Sequence, residues 1–151
     1  MKQIIVIAFL FFALSFATFS QSTGSESKAI KISQYKKEHY SEEIKSAVFD
    51  LSEKLQSESK AEGIIKIQAK SSVGIIRQIH EVIGLLNFRG LNLNRVSFAI
   101  RTSDEEITQY WFVPLGADVH DCEDCIIIRA EDFHRLVEFF YPKPKLKKRK
   151  K

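Results

Sequence analysis

Between residues 41 and 141 the apolar residues change period several times, and this alternation restricts the fold more than any other feature. Ile44, Val48, Leu51 and Leu55 recur at steps of three and four, which lines one side of a helix from Ser41 to about Gln56. Ser41 can cap it, and Glu42 and Glu43 suit the positive end of the helix dipole. After Gly63 the period drops to two: Ile65, Ile67 and Ala69 share one side and Lys66 and Gln68 the other, the pattern of a half-buried strand. A second helix runs from Ser71 or Ser72 to about Phe88 on Ile75, Ile76, Ile79, Val82, Ile83 and Leu86, with Gly90 placed to end it. Strands follow over Arg95–Arg101, with Val96, Phe98 and Ile100 inward, and over Glu106–Val113, separated by the turn residues Thr102-Ser103-Asp104-Glu105. A short buried strand over Cys125–Arg129 is expected to lead to a last helix over Glu131–Tyr141, stopped by Pro142.

The order α-β-α-β-β-β-α predicts an α+β domain: a two-layer sandwich with helices on a four-stranded mixed sheet. The helix between the first two strands serves as a right-handed crossover, and the later, loop-joined strands are expected to run antiparallel. Gly74 and Gly84 each weaken the second helix by about 1 kcal/mol relative to Ala. Close approach to the sheet, or simple tolerance, accounts for Gly84.

The chain begins Met1-Lys2-Gln3 and is apolar from Ile4 to Phe19 apart from Ser15 and Thr18. A basic start, a short apolar core and small residues at its end are the parts of a secretory signal, and the segment resembles bacterial signal peptides in its brevity and its Phe/Ile-rich core. Sixteen helical residues span about 24 Å, short of the roughly 30 Å hydrocarbon core that a membrane anchor must cross. Residues 1–20 are therefore expected to be a signal peptide cleaved after Ser20, or alternatively after Ala17, leaving no transmembrane segment. The expected location is exported, periplasmic or secreted. Residues 21–40 have few apolar groups and read as a flexible linker, 41–142 as a single domain, and 143–151 as a basic disordered tail.

Charge is unevenly spread. Of 23 basic residues, seven lie in 143–151 and Lys2 lies in the signal, leaving 15 against 19 acidic groups in 21–142. A net charge of −4 on the body makes sequence-specific nucleic-acid recognition an unsuitable role. The tail could contact anionic surfaces, or serve only as a solvated extension.

His120-Asp121-Cys122-Glu123-Asp124-Cys125 is the densest chemistry in the chain, and it holds the only two cysteines. In an oxidising compartment, a Cys122–Cys125 disulfide is the leading reading. A zinc site of His120, Cys122, Cys125 and His134 is the alternative, since two closely spaced thiolates and two imidazoles complete a tetrahedron. A redox role fits less well. The pair precedes a strand rather than opening a helix, and the surrounding carboxylates disfavour a thiolate. A calcium site in the acidic group Asp118, Asp121, Glu123, Asp124, Glu131 and Asp132 lacks the alternating-oxygen loop that such a site needs. His80, between Ile76 and Ile83 at helical spacing, reads as structural. Nothing nominates a general acid, general base or phosphate loop.

Tyr110-Trp111-Phe112 is apolar on both sides of its strand. Either the second side is covered by the first helix, or Tyr110 and Phe112, or else Trp111, stand exposed as a binding patch. The expectation is a non-enzymatic binding domain, without cofactor, engaging an envelope or secreted protein through the sheet or this strand. The alternative is a metal-dependent or thiol-based activity at Cys122 and Cys125.

Overall fold

The computed structural model describes residues 28–36, 41–119 and 122–140. The expected signal segment, the basic tail and His120 lie outside them. The elements are β1 (Ile30–Lys36), α1 (Ser41–Ser57), β2 (Glu62–Ala69), α2 (Ser72–Phe88), β3 (Val96–Thr102), β4 (Ile107–Val113), β5 (Ile126–Arg129) and α3 (Phe133–Phe140), with short 3₁₀ turns at Leu93–Arg95 and Ala130–Asp132. The class is α+β, with a mixed sheet and, among the described residues, three helices. The sheet has five strands rather than the expected four, in the order β1-β4-β2-β3-β5. The additional strand, β1, falls in the segment whose polar composition suggested a linker. It pairs antiparallel with β4 at the edge of the sheet, with a bulge between Lys31 and Ser33.

β2 and β3 are parallel and joined by α2, as the crossover rule requires. β1 and β2 both run antiparallel to β4, so they too are parallel, and α1 joins them. Crossovers of the same hand place both helices on one face of the sheet, where they contact each other. The periodic residues predicted to face inward do so: Ile44, Val48, Leu51 and Leu55 of α1, and Ile75, Ile79, Val82 and Leu86 of α2, are buried against Ile65, Ile67, Phe98, Ile100, Tyr110 and Phe112. Ile76 and Ile83 lie at the margin of this core.

Several local interactions hold the elements in place. Ser71 caps α2 by accepting from the Gly74 amide. At its other end Gly90 takes φ +66, and the amides of Gly90 and Leu91 return to the Asn87 and Leu86 carbonyls, a left-handed termination suited to glycine. Gly63 lets α1 approach β2 closely: a Cβ there would stand 3.1 Å from Leu55 Cδ1 and 3.2 Å from Leu51 Cδ2. Gly84 has nothing within 4 Å of an added Cβ, so tolerance rather than close approach explains it. Arg95 ties the turn after α1 to the start of β3, donating from Nη2 to the Glu58 and Ala61 carbonyls at 2.6 and 2.8 Å. These acceptors are backbone groups past the end of a helix, where a cation is favoured. The buried Ser52 hydroxyl donates back to the Val48 carbonyl, which satisfies a polar group inside the core.

The later strands depart from simple antiparallel succession. β3 and β4 run in opposite directions but are not neighbours, because β2 lies between them. The turn 103–106 steps across the end of β2, anchored by the Ser103 amide donating to the Ala69 carbonyl. β5 pairs antiparallel with β3 and is therefore parallel to β4, which corrects the antiparallel expectation for that step. Arg101 reaches to 3.5 Å from the Glu123 carbonyl, in the turn that leads into β5. No helix among the described residues is long and apolar enough to cross a membrane.

Candidate functional site

The register of the sheet separates the aromatic triplet of β4. Tyr110 pairs with Ile65 and Phe112 with Gly63, so both point toward the helices. Tyr110 is fully buried, and its ring meets that of Tyr35 edge-on at 6.3 Å between centroids. Trp111 pairs with Ile64 of β2 and Lys31 of β1 and points to the opposite face, where it is half-buried. Of the candidate patch Tyr110, Trp111 and Phe112, Trp111 is the member on the face away from the helices. Helices bury the other two.

Alternation from Trp111 defines the rest of this open face. Lys31, Gln34 and Lys36 come from β1, Ile107 and Gln109 from β4, and Ile64, Lys66 and Gln68 from β2. Ser97, Ala99 and Arg101 come from β3, and Ile127 and Arg129 from β5. Of these cations Lys31, Lys36 and Arg129 are exposed, Arg101 is half-buried and Lys66 is buried; Asp104, Glu105 and Glu106 lie near Lys36, and Glu62 stands at the beginning of β2. Around Trp111 the side chains are linked. Its Nε1 donates to Gln109 Oε1 at 3.1 Å, Gln109 Nε2 donates to Gln34 Oε1 at 3.0 Å, and Lys31 Nζ donates to the same oxygen at 2.9 Å. The ammonium of Lys66 lies 5.2 Å, and that of Lys31 5.7 Å, from the centroid of the Trp111 ring. Such contacts contribute about 0.5–1 kcal/mol each at exposed sites and more when desolvated. Lys66, on a central strand, is only 4% exposed and is held in place by its surroundings.

This arrangement offers a flat aromatic surface, amide groups that donate and accept, and fixed positive charge. Groups of this kind can contact polar or anionic surfaces. Lys31, Gln34, Lys66 and Gln109 were not singled out by sequence reasoning. Lys66 and Gln68 were assigned to the outward side of a strand, but only pairing with β1 and β4 shows that they share a surface with Trp111.

The second candidate is the cysteine turn. Cys122 and Cys125 are at disulfide distance, with their Cα atoms 5.5 Å apart, and the structure joins them. Asp124 between them adopts φ 63, a left-handed conformation that Asp tolerates better than most residues. Glu123 and Asp124 are exposed on this turn, which leads directly into β5. Of the four residues considered for zinc, His120 lies outside the described residues, and His134 is exposed on α3. No group of three or more His, Cys, Asp or Glu residues that could hold a metal occurs among the described residues. His80 is exposed on α2, and its ring meets Phe133 edge-on at 6.1 Å. In the acidic group considered for calcium, Asp132 instead pairs with Arg135 at 3.2 Å.

One cavity opens where the C-terminal end of β3 meets the start of α2. It has a volume of about 280 Å³ and is lined by Ser72, Ile75, Ile100, Arg101, Asp124 and Ile126. Its lining is mainly apolar, and it places the cysteine turn beside the end of β3. Comparison with known protein families, with curated proteins and with solved structures finds no match for this chain.

Proposed function

We propose that this is an exported, non-enzymatic binding domain whose contact surface is the open face of the sheet, centred on Trp111. The observation that carries the proposal is the preorganised cluster of Trp111, Gln109, Gln34, Lys31 and Lys66, linked by hydrogen bonds and cation–π contacts. Aromatic and long cationic side chains already held in place lose little conformational entropy on binding, which favours a contact surface. Export is supported by the basic and apolar N-terminal run and by the joined cysteines, a combination suited to an oxidising compartment. The partner is an envelope or secreted protein presenting polar or acidic groups to this face.

The test is recovery of the tagged, exported protein from its native host, followed by comparison of bound partners between variants. Trp111→Ala should lose a partner that Val73→Ala, an exposed change on α2, retains. Partner sets that are identical for the wild type and both variants would overturn the assignment of the surface.

A further inference from the structure

The two edges of the sheet are built differently. An uncovered edge strand presents unpaired amide and carbonyl groups to any other strand, and proteins ordinarily protect such edges with bulges, lysines or proline. β1 has these protections: a bulge between Lys31 and Ser33, and exposed lysines at positions 31 and 36. β5 is short, four residues, and ends in a charge at Arg129, but it has no bulge, lysine or proline. Rather than the buried strand expected, Ile126-Ile127-Ile128-Arg129 pairs, among the described residues, with β3 on one edge and leaves Ile126 59% and Ile127 72% exposed. The exposed apolar surface lies on both faces, since Ile126 shares the helix side with Ile100 and Ile127 shares the open side with Ala99.

We infer that β5 is the interface with a second copy of this chain, joined edge to edge in an antiparallel, two-fold pairing centred on Ile127. Residues opposite one another across an antiparallel pair must share a face, so the register can shift only in steps of two. The register centred on Ile127 sets Ile127 against Ile127 on the open side and Ile126 against Ile128 on the helix side. Every isoleucine of the strand then faces another. The same register carries Arg129 of each copy to Cys125 of the other, beside the exposed Glu123 and Asp124 of that cysteine turn. Two opposite-charge contacts, related by the symmetry axis, thus frame an apolar centre. This self-complementarity identifies a second copy as the occupant, because a two-fold interface needs one patch that matches itself. The product is a continuous ten-stranded sheet with both open faces on the same side.

Sedimentation equilibrium of the wild-type protein should give twice the chain mass. Ile127→Lys puts a charge at the axis, where the two copies would repel, and should give a monomer with an unchanged circular dichroism spectrum, since Ile127 is largely exposed within its own chain. Ile127→Cys should instead crosslink on mild oxidation. Opposed Cβ atoms in such a pair are about 4.5–5.5 Å apart before adjustment, near disulfide reach. Val73→Cys, exposed elsewhere, should not crosslink. A wild-type protein that stays monomeric into the millimolar range would overturn the inference. So would a dimer that Ile127→Lys leaves intact, or crosslinking that is equal at positions 127 and 73.

Discussion

Replacing Tyr110 by alanine should lower the stability of the domain by about 3–5 kcal/mol, the usual cost of removing a buried aromatic ring. Small domains have a total stability of roughly 5–15 kcal/mol, so this change consumes much of it. Trp111→Ala, one residue further along the same strand, should cost less than about 2 kcal/mol. It removes a half-buried ring and two cation–π contacts but leaves no cavity in the core. The contrast follows from register alone. Tyr110 faces Ile65 and the helices, whereas Trp111 faces away from them. Urea unfolding of both variants measures the two losses. Equal losses, or a larger loss for Trp111→Ala, would mean that the strand has been assigned the wrong face.

Stability should also fall in alkali for a reason specific to Tyr110. Burial pushes the phenol far above the ordinary tyrosine value near 10, and the neighbouring Tyr35 and Glu81 add to the rise. The fold therefore favours the neutral phenol. In the unfolded chain Tyr110 releases its proton as pH passes about 10, while in the folded chain it keeps it. The contribution of this group is fully present below pH 10 and is lost as pH rises above that value, by about 1.4 kcal/mol for each further pH unit up to the folded-state pKa. Tyr110→Phe removes the titrating group while keeping the ring. Its stability should decline less steeply above pH 10 than that of the wild type in urea titrations at successive pH values. Identical slopes would contradict the buried, neutral state assigned to Tyr110.

Much of the domain was legible as periodicity. The three-and-four spacing of Ile44, Val48, Leu51 and Leu55, and the alternation of Ile65, Ile67 and Ala69, reflect which side of each element meets the core, and the structure buries these residues. β1 was not legible, because an edge strand buries little. Ile30 is exposed, Ile32 and Tyr35 are half-buried, and the intervening Lys, Ser and Gln resemble a linker. Its pairing depends on β4, more than seventy residues later, which no local pattern encodes. The insertion of β2 between β3 and β4 is invisible for the same reason. A four-residue turn suggests a hairpin, yet the turn 103–106 bridges over a strand instead.

The candidate site was legible only in fragments. Alternation within Tyr110-Trp111-Phe112 requires that adjacent residues face opposite ways, but the side of the helices had to come from the pairing with β2. Lys31 and Gln34 were hidden in the presumed linker, and Lys66 reads as an ordinary outward residue until Trp111 is placed beside it. The cysteine pair was the opposite case, because two cysteines three residues apart come within disulfide reach as soon as the chain between them turns. What the sequence could not show is that their turn, with Glu123 and Asp124, borders the unprotected edge strand β5.

Trp111 stands half-buried on the face of the sheet opposite the helices, with the Lys31 and Lys66 ammonium groups over its ring. The protein contains a single tryptophan, so its emission reports on that face alone. Iodide and caesium ions quench exposed indole by collision, and nearby lysines attract one ion and repel the other. Relative to free N-acetyltryptophanamide at the same low ionic strength, the ratio of iodide to caesium quenching should be raised, and Lys31→Gln should lower it. A ratio equal to that of the free indole, or protection of Trp111 from both ions, would contradict an accessible position beside these lysines.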